Sequence, residues 1–259
     1  MKLVLFIILL VIVLILLIIL GTNNSIELIS DFSKILKNNF VDFVEDYTIP
    51  KTLFQTYHTK SKIPSYINDN ISTFAGNYKR TIYDDSEGLA FIREYFNDSI
   101  VNKYLSLKGA HRADLLRYCY LYIHGGVYLD IKSTFLVPLD SIINHKESES
   151  SKVYSVLSSQ KGTIYQGFIA SSKNNIFFLQ LIHNITRVSS FNILIDYLVI
   201  TRQFFNIMIL LKNNIDFILF QEKCITNTSA DNLDRYGYFC RIFDNDIPIM
   251  NTRDPKYPW

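Results

Sequence analysis

The sequence predicts an α/β domain with a mainly parallel sheet behind an N-terminal membrane helix. Three observations carry that expectation. Leu3 to Leu20 is an unbroken apolar run, short β-rich segments alternate with helical ones through the middle of the chain, and Gly125-Gly126 stands between a helical segment and a strand.

The apolar run is 18 residues long, about 27 Å as a helix at roughly 1.5 Å per residue, which is enough to cross a bilayer. The apolar core of a cleaved signal peptide is shorter, about 7–15 residues, and ends in a small-x-small site that Gly21-Thr22-Asn23 matches poorly. Lys2 precedes the run, while Glu27 and Asp31 follow it before Lys34, a bias that leaves the N-terminus in the cytosol. Residues 1–21 therefore read as a signal anchor. Residues 22–48, with Ile26, Leu28, Phe32, Ile35, Leu36 and Phe40 near helical spacing, read as a stem, and residues 49–259 as one domain in a lumen or outside the cell. Asn-x-Ser/Thr sequons begin at Asn23, Asn70, Asn97, Asn184 and Asn227 and suit that side of a membrane, although ordinary Asn- and Ser-rich loops produce them as well.

Within the domain, Lys51 to Tyr57 reads as the first core strand and Arg80 to Tyr83 as a second. Asp84-Asp85-Ser86 supplies capping side chains for a helix marked by Leu89, Ile92, Arg93 and Phe96. Ala113, Leu116, Tyr120 and Ile123 share one helical face, and Gly125-Gly126 ends that helix where a left-handed backbone is needed. Strands follow at Val127 to Ile131 and Lys152 to Leu157, then a helix from about Asn175 to Val188. The last third reads as an Ile- and Phe-rich helix and an irregular Tyr-rich tail. Such alternation is the pattern of an α/β sandwich.

Composition removes several function classes. Lys and Arg number 26 against 24 Asp and Glu, a net charge of +2 over 259 residues, too little for a dedicated nucleic-acid binder. Cys119, Cys224 and Cys240 lack zinc or redox spacing and can close at most one disulfide, for which Cys224 and Cys240 are the candidates. The five histidines are dispersed, without an H-x-x-x-H spacing, and no nucleophile-elbow pattern surrounds Ser106 or Ser155.

The chemistry-bearing block runs from Ala110-His111-Arg112-Ala113-Asp114-Leu115-Leu116-Arg117-Tyr118 through His124-Gly125-Gly126-Val127-Tyr128-Leu129-Asp130-Ile131-Lys132. Asp114 and Arg117 are three apart and so neighbours on one helical face, although an isolated pair of this kind is most often a surface ion pair. Strand alternation puts Tyr128, Asp130 and Lys132 on one face, with the last two beyond the carboxyl end of the strand, where ligands of open α/β sheets bind. Helix, Gly-Gly turn and strand end thus set two carboxylates, a guanidinium and a ring around one pocket.

This block resembles the signature of glycosyltransferases of the family 32 type, retaining enzymes of the GT-A fold with a DXD sugar-binding region. Ile49-Pro50-Lys51-Thr52-Leu53-Phe54-Gln55-Thr56-Tyr57, Pro138-Leu139-Asp140 and Tyr165-Gln166-Gly167-Phe168-Ile169-Ala170-Ser171 are similar to other segments of the family, over residues 49 to about 190. The resemblance implies a GT-A fold, a UDP- or GDP-hexose donor and a divalent metal, Mn²⁺ or Mg²⁺. It implies that Asp114 and Arg117 bind donor hexose hydroxyls, that Tyr128 lies near the nucleotide and Asp130 on ribose or metal, and that Phe54, Gln55 and Thr56 contact the nucleobase. Gln166 stands where the family usually has Asn.

Two departures from the family pattern concern the metal. The family's Asp-x-Asp is here Asp130-Ile131-Lys132, so a cation replaces one carboxylate. Thr201-Arg202-Gln203 replaces a Thr-Gly-Pro turn, and the terminal His-rich segment is missing, leaving Asn251 and Asp254 as the substitute metal ligands. The expectation for Lys132 is that it turns outward while Asp130, diphosphate and water hold the cation; the alternative is that its ammonium takes part of the metal's role. The reading is a membrane-anchored hexosyltransferase, mannosyltransferases included, acting on a glycan or glycolipid. Its rival is a non-catalytic relative that keeps the fold as a sugar-binding or complex-forming module.

Overall fold

The expected first strand forms as β1, Thr52–Thr56, in a computed structural model that describes residues 47–145, 150–225, 239–254, 256 and 257. The anchor at residues 1–21, almost all of the stem, and Asn23 and Asn227 lie outside the described residues. No helix among the described residues is long and apolar enough to cross a membrane.

After β1 come α1 (Ser65–Ala75), β2 (Lys79–Tyr83), α2 (Asp85–Tyr95), α3 (Asp98–Ser106) and α4 (Gly109–His124). The capping signal before α2 is realised in full. The Asp84 carboxylate accepts from the Ser86 and Glu87 amides, and Glu87 reaches back to the Asp84 amide at 2.8 Å. Asn97 caps α3 through the Ile100 amide. Asn70, another sequon residue, bonds both backbone groups of Phe135 at 2.9 and 3.0 Å, so its side chain ties α1 to the chain beyond β3.

Next follow β3 (Gly126–Leu129), β4 (Thr134–Phe135), α5 (Leu139–Ile142), β5 (Lys152–Leu157), β6 (Ile164–Ser171), α6 (Ile176–Arg187), α7 (Ser190–Ile195) and α8 (Val199–Leu211). The chain ends in β7 (Asp216–Ile225), β8 (Phe239–Asp244) and β9 (Ile247–Asn251). Here the sequence reading is corrected: a β-meander replaces the irregular tail. β7 is mostly half-exposed and lacks a clean apolar alternation, so its period gave no signal.

The described strands form one nine-stranded sheet in the order β2-β1-β3-β6-β5-β7-β8-β9-β4. It is mixed, not mainly parallel. The pairs β1–β2, β1–β3 and β5–β7 are parallel and the other five antiparallel. The reason lies in connection length. A parallel pair needs a crossover of about a dozen residues or more, whereas β5 and β6 are joined by residues 158–163 alone, and β8 and β9 by a turn with Asn245 at φ 54°.

One face of the sheet carries Leu53, Val127, Leu129, Phe168 and Ala170 into a core with Ile71, Phe135 and Met250. On the other face Phe54 stacks flat on Tyr120 of α4, centroids 3.8 Å apart. Every residue of α4 from Asp114 to Tyr122 is buried. A helix enclosed on all sides is normally apolar all round, so its Asp and Arg must satisfy each other internally. Cys224 and Cys240 face each other across β7 and β8 and form a disulfide, while Cys119 is a buried free thiol.

The junction between α4 and β3 is sterically exacting. Gly126 has φ 92°, and a Cβ there would lie 2.0 Å from Thr52 Oγ1 and 2.9 Å from the Thr52 carbonyl oxygen. Gly126→Ala is expected to destabilise the fold by about 1–3 kcal/mol, since an L side chain is strained at that φ and the neighbouring strand cannot recede. Chemical denaturation measures it. An unchanged midpoint would show that the junction tolerates a side chain.

Candidate functional site

Four elements converge at the carboxyl end of β3. From α4 come Asp114 and Arg117, from β3 and the following turn Tyr128, Asp130 and Lys132, from β1 Thr56, and from β6 Gln166 and Gly167. The strand stops at Leu129, and the Asp130 carbonyl accepts from the Ser133 amide at 3.0 Å, so residues 130–133 turn instead of extending.

Arg117 organises the site. It lies 3.2 Å from the Asp114 carboxylate and 3.7 Å from Asp130 Oδ1, and its guanidinium sits 4.2 Å over the Tyr128 ring. Its Nε donates to the Ala113 carbonyl and Nη1 to the Gln166 carbonyl. The pair expected on one helical face therefore forms, but it is buried, not a surface ion pair: Asp114 and Arg117 are 5% and 4% exposed. Burial pushes the Asp114 carboxyl up against the pull of Arg117 and His111. Burial also opposes the Arg117 charge, but Tyr128 and the two carboxylates outweigh it and hold the guanidinium firmly protonated.

An irregularity in β6 makes these contacts available. The β5–β6 pairing runs Tyr154↔Ala170 and then jumps to Val156↔Tyr165, so residues 166–169 have no β5 partner in register. The freed Gln166 carbonyl receives Arg117, and the Gly167 carbonyl receives the Asp130 amide at 2.8 Å. Re-aiming backbone groups beside a site is a common use of a bulge. The Gln166 side chain accepts from the Tyr118 hydroxyl at 2.7 Å, and its amide nitrogen is buried without a partner.

Asp130 is the exposed member, its side chain 22% accessible. Burial would raise its pKa, yet Arg117, Lys132 and the Tyr128 hydroxyl, which donates at 2.9 Å, hold it below the usual carboxylate range. Lys132 differs from expectation. Its side chain is 44% exposed, but Nζ is turned towards Asp130 and stands 3.8 Å from Oδ2.

The other residues singled out in the sequence divide. Thr56 approaches the Tyr128 hydroxyl at 3.4 Å. Phe54 and Gln55 are fully buried, Phe54 under Tyr120 and Gln55 accepting from Arg80 Nε at 2.7 Å, so neither presents a surface to a nucleobase here. Asn251 is buried with its amide engaged by Arg241 and Thr134. Asp254 does reach the site, through its amide to the Lys132 carbonyl at 2.7 Å, while its carboxylate accepts from the Lys256 amide. Thr201-Arg202-Gln203 lies in the first turns of α8.

Tyr66 and Tyr257 went unrecognised in the sequence. The Tyr66 hydroxyl is buried without a hydrogen-bond partner, and the Tyr257 hydroxyl is buried beside Tyr57. Burial and then Asp254 push the Tyr66 phenol up to about 12. Burial raises Tyr257 as well, aided by Tyr57, Tyr66 and Asp130. For Tyr257 the available signal was the aromatic richness of the tail, which names no partner.

The residues present do not fit a divalent cation. Mg²⁺ and Mn²⁺ need several oxygen ligands. Asp130 Oδ1 already faces the Tyr128 hydroxyl and Arg117, and Oδ2 faces Lys132. Asn251 is engaged elsewhere, and among the described residues the one trio of ligand-type groups is Glu222, Cys224 and Cys240, two of which are bridged. A unit charge about 4 Å from a like charge is repelled by roughly 1–4 kcal/mol at effective dielectrics of 80 to 20, and a divalent ion by twice that.

With this geometry in place, residues 23–149 match a family model described as the glycosyltransferase sugar-binding region containing DXD motif. Over these residues the chain is thus similar to a glycosyltransferase sugar-binding region, in line with the resemblance, while the narrower family 32 type is not distinguished. Among solved structures the chain is similar to PaToxG Glycosyltransferase, with a TM-score of 0.46 and 17% identity over 68% of this chain and 72% of that one, a likeness too partial to bear on function. No curated protein matches the chain.

Removing Arg117 leaves the buried Asp114 charge unpaired, so Arg117→Ala is expected to cost about 3–5 kcal/mol of stability. Arg117→Ala combined with Asp114→Ala is expected to cost less than the two single changes added together. Denaturant titration of the three variants provides the cycle. Strict additivity would mean that the pair is not coupled.

Proposed function

We propose that this chain is a hexosyltransferase. In this reading it moves mannose, galactose or glucose from a UDP- or GDP-hexose to a hydroxyl of a glycan or glycolipid, with retention of configuration. Residues 1–21 anchor it, with the domain luminal or otherwise extracytoplasmic. The observation that carries the reading is an ionised, partly exposed Asp130 at the carboxyl end of β3, within a segment that matches the sugar-binding family.

Each residue then has a role that its exposure allows. Asp130 accepts hydrogen bonds from hydroxyls of the donor, which a carboxylate with open lone pairs does well. Arg117 and Asp114 are positioning residues: they fix Asp130 and the Tyr128 ring but are too enclosed to face a ligand themselves. Gln166 Nε2 and the Tyr66 hydroxyl are buried beside the site without a partner in the protein and carry no role in ligand contact here.

Lys132, standing where the family pattern has its second carboxylate, favours a second reading, a sugar-binding module that holds the nucleotide sugar without turning it over. One experiment separates the two. Across a panel of UDP- and GDP-hexoses, the first reading expects ligand-induced thermal stabilisation together with release of nucleotide in the presence of acceptor. It also expects Asp130→Asn to lose about 1.5–3 kcal/mol of transition-state or ligand stabilisation with the fold intact. Stabilisation without release selects the second reading. Absence of binding to every donor would remove both.

A further inference from the structure

We propose that this site works without a divalent metal, and that the Lys132 ammonium provides the fixed positive charge that receives the donor's diphosphate. The inference rests on the sugar-transfer reading above and concerns how the same site meets its ligand.

The first observation is the state of the Asp130 carboxylate. Both oxygens are turned towards positive or proton-donating groups of the chain itself: Tyr128 and Arg117 on Oδ1, Lys132 on Oδ2. A cation at Asp130 would stand beside two positive charges of the chain itself, and Arg117, enclosed on α4, is one of them. The second is charge balance. Asp114 and Asp130 against Arg117 and Lys132 sum to zero, so these four side chains hold no surplus negative charge with which to attract a metal before the nucleotide arrives.

The third observation is the placement of Lys132. Its backbone is pinned, because its carbonyl accepts from the Asp254 amide and the turn around it is closed by the Asp130–Ser133 bond. Its side chain is nearly half exposed, and the 3.8 Å separation from Asp130 is a loose pairing. An ammonium held in this way can leave its carboxylate for a phosphate oxygen over a short swing. Lysine is well suited to phosphate as a compact point charge.

In the reaction, the bond between the anomeric carbon and the phosphate oxygen breaks with both electrons left on the diphosphate. The acceptor oxygen bonds that carbon, and its proton passes to the departing diphosphate. Lys132 remains protonated throughout and stabilises the charge that develops on the leaving oxygens.

The test uses the full-length chain and free UDP and GDP, with binding read by calorimetry and by thermal shift, with Mn²⁺ and with chelator. Wild type is expected to bind one of the two with the same affinity in both conditions. Lys132→Ala is expected to weaken that binding about ten- to a hundredfold, the loss of one charged hydrogen bond, and Lys132→Arg to keep most of it. Lys132→Asp, which restores the two-carboxylate pattern, is expected to bind only when Mn²⁺ is present. Circular dichroism of each variant confirms the fold. Wild-type binding that vanishes with chelator, or Lys132→Ala binding as wild type does, would overturn the proposal while leaving sugar transfer standing. A wild type that binds neither nucleotide under either condition would overturn both.

Discussion

The arrangement of this domain turns on one buried guanidinium. Arg117 cannot shed its charge in a protein, and α4 carries it into a space enclosed by the sheet and the neighbouring helices. Everything around it is a response to that constraint. Asp114 stands one helical turn away, Asp130 ends β3 at the right depth, Tyr128 lays its ring beneath, and β6 leaves register to turn a carbonyl towards it. A buried charge is tolerated when it is paired and hydrogen-bonded on all sides. The site is therefore part of the packing of the molecule and not an addition to its surface.

That same constraint explains why the pattern of charges departs from a two-carboxylate motif. Arg117 already neutralises Asp114, and Lys132 approaches the second oxygen of Asp130. A second aspartate in the place of Lys132 would set like charges around a half-buried turn unless a cation accompanied it. Lysine makes the turn electrostatically complete without a ligand.

Much of the fold was legible because its determinants are local. Asp84 and Asn175 announce their helices through side chains that reach amides two or three residues on. Gly125 and Gly126 announce a positive φ, and β1, β2 and β5 lie within two residues of their expected places. What failed was non-local. The parallel reading extrapolated the helix-strand alternation of the first half into a second half whose strands are joined by short turns. β7 went unseen because neighbouring strands, and not its own period, define it. For the site, the Asp114, Arg117, Asp130 spacing was readable, whereas the fate of Phe54 was not: alternation gives the face of β1 on which it sits, but only tertiary packing shows Tyr120 covering it. Tyr66 and Tyr257 belong to the same class, since nothing near them in sequence names Asp254 or Asp130 as a neighbour.

The strap that Asp254 lays across the Lys132 carbonyl also sets an order of events in folding. Ser133 donates to the Thr252 carbonyl across 119 positions of sequence, and Tyr165 donates to the same oxygen. Contacts this distant form late, after the closer pairings have reduced the entropy of closing the loop. On a ribosome the segment that matches the sugar-binding family is complete long before residues 252–254 emerge. The residues that pin the Lys132 turn therefore become available only after those that carry Asp114, Arg117 and Asp130 have been made.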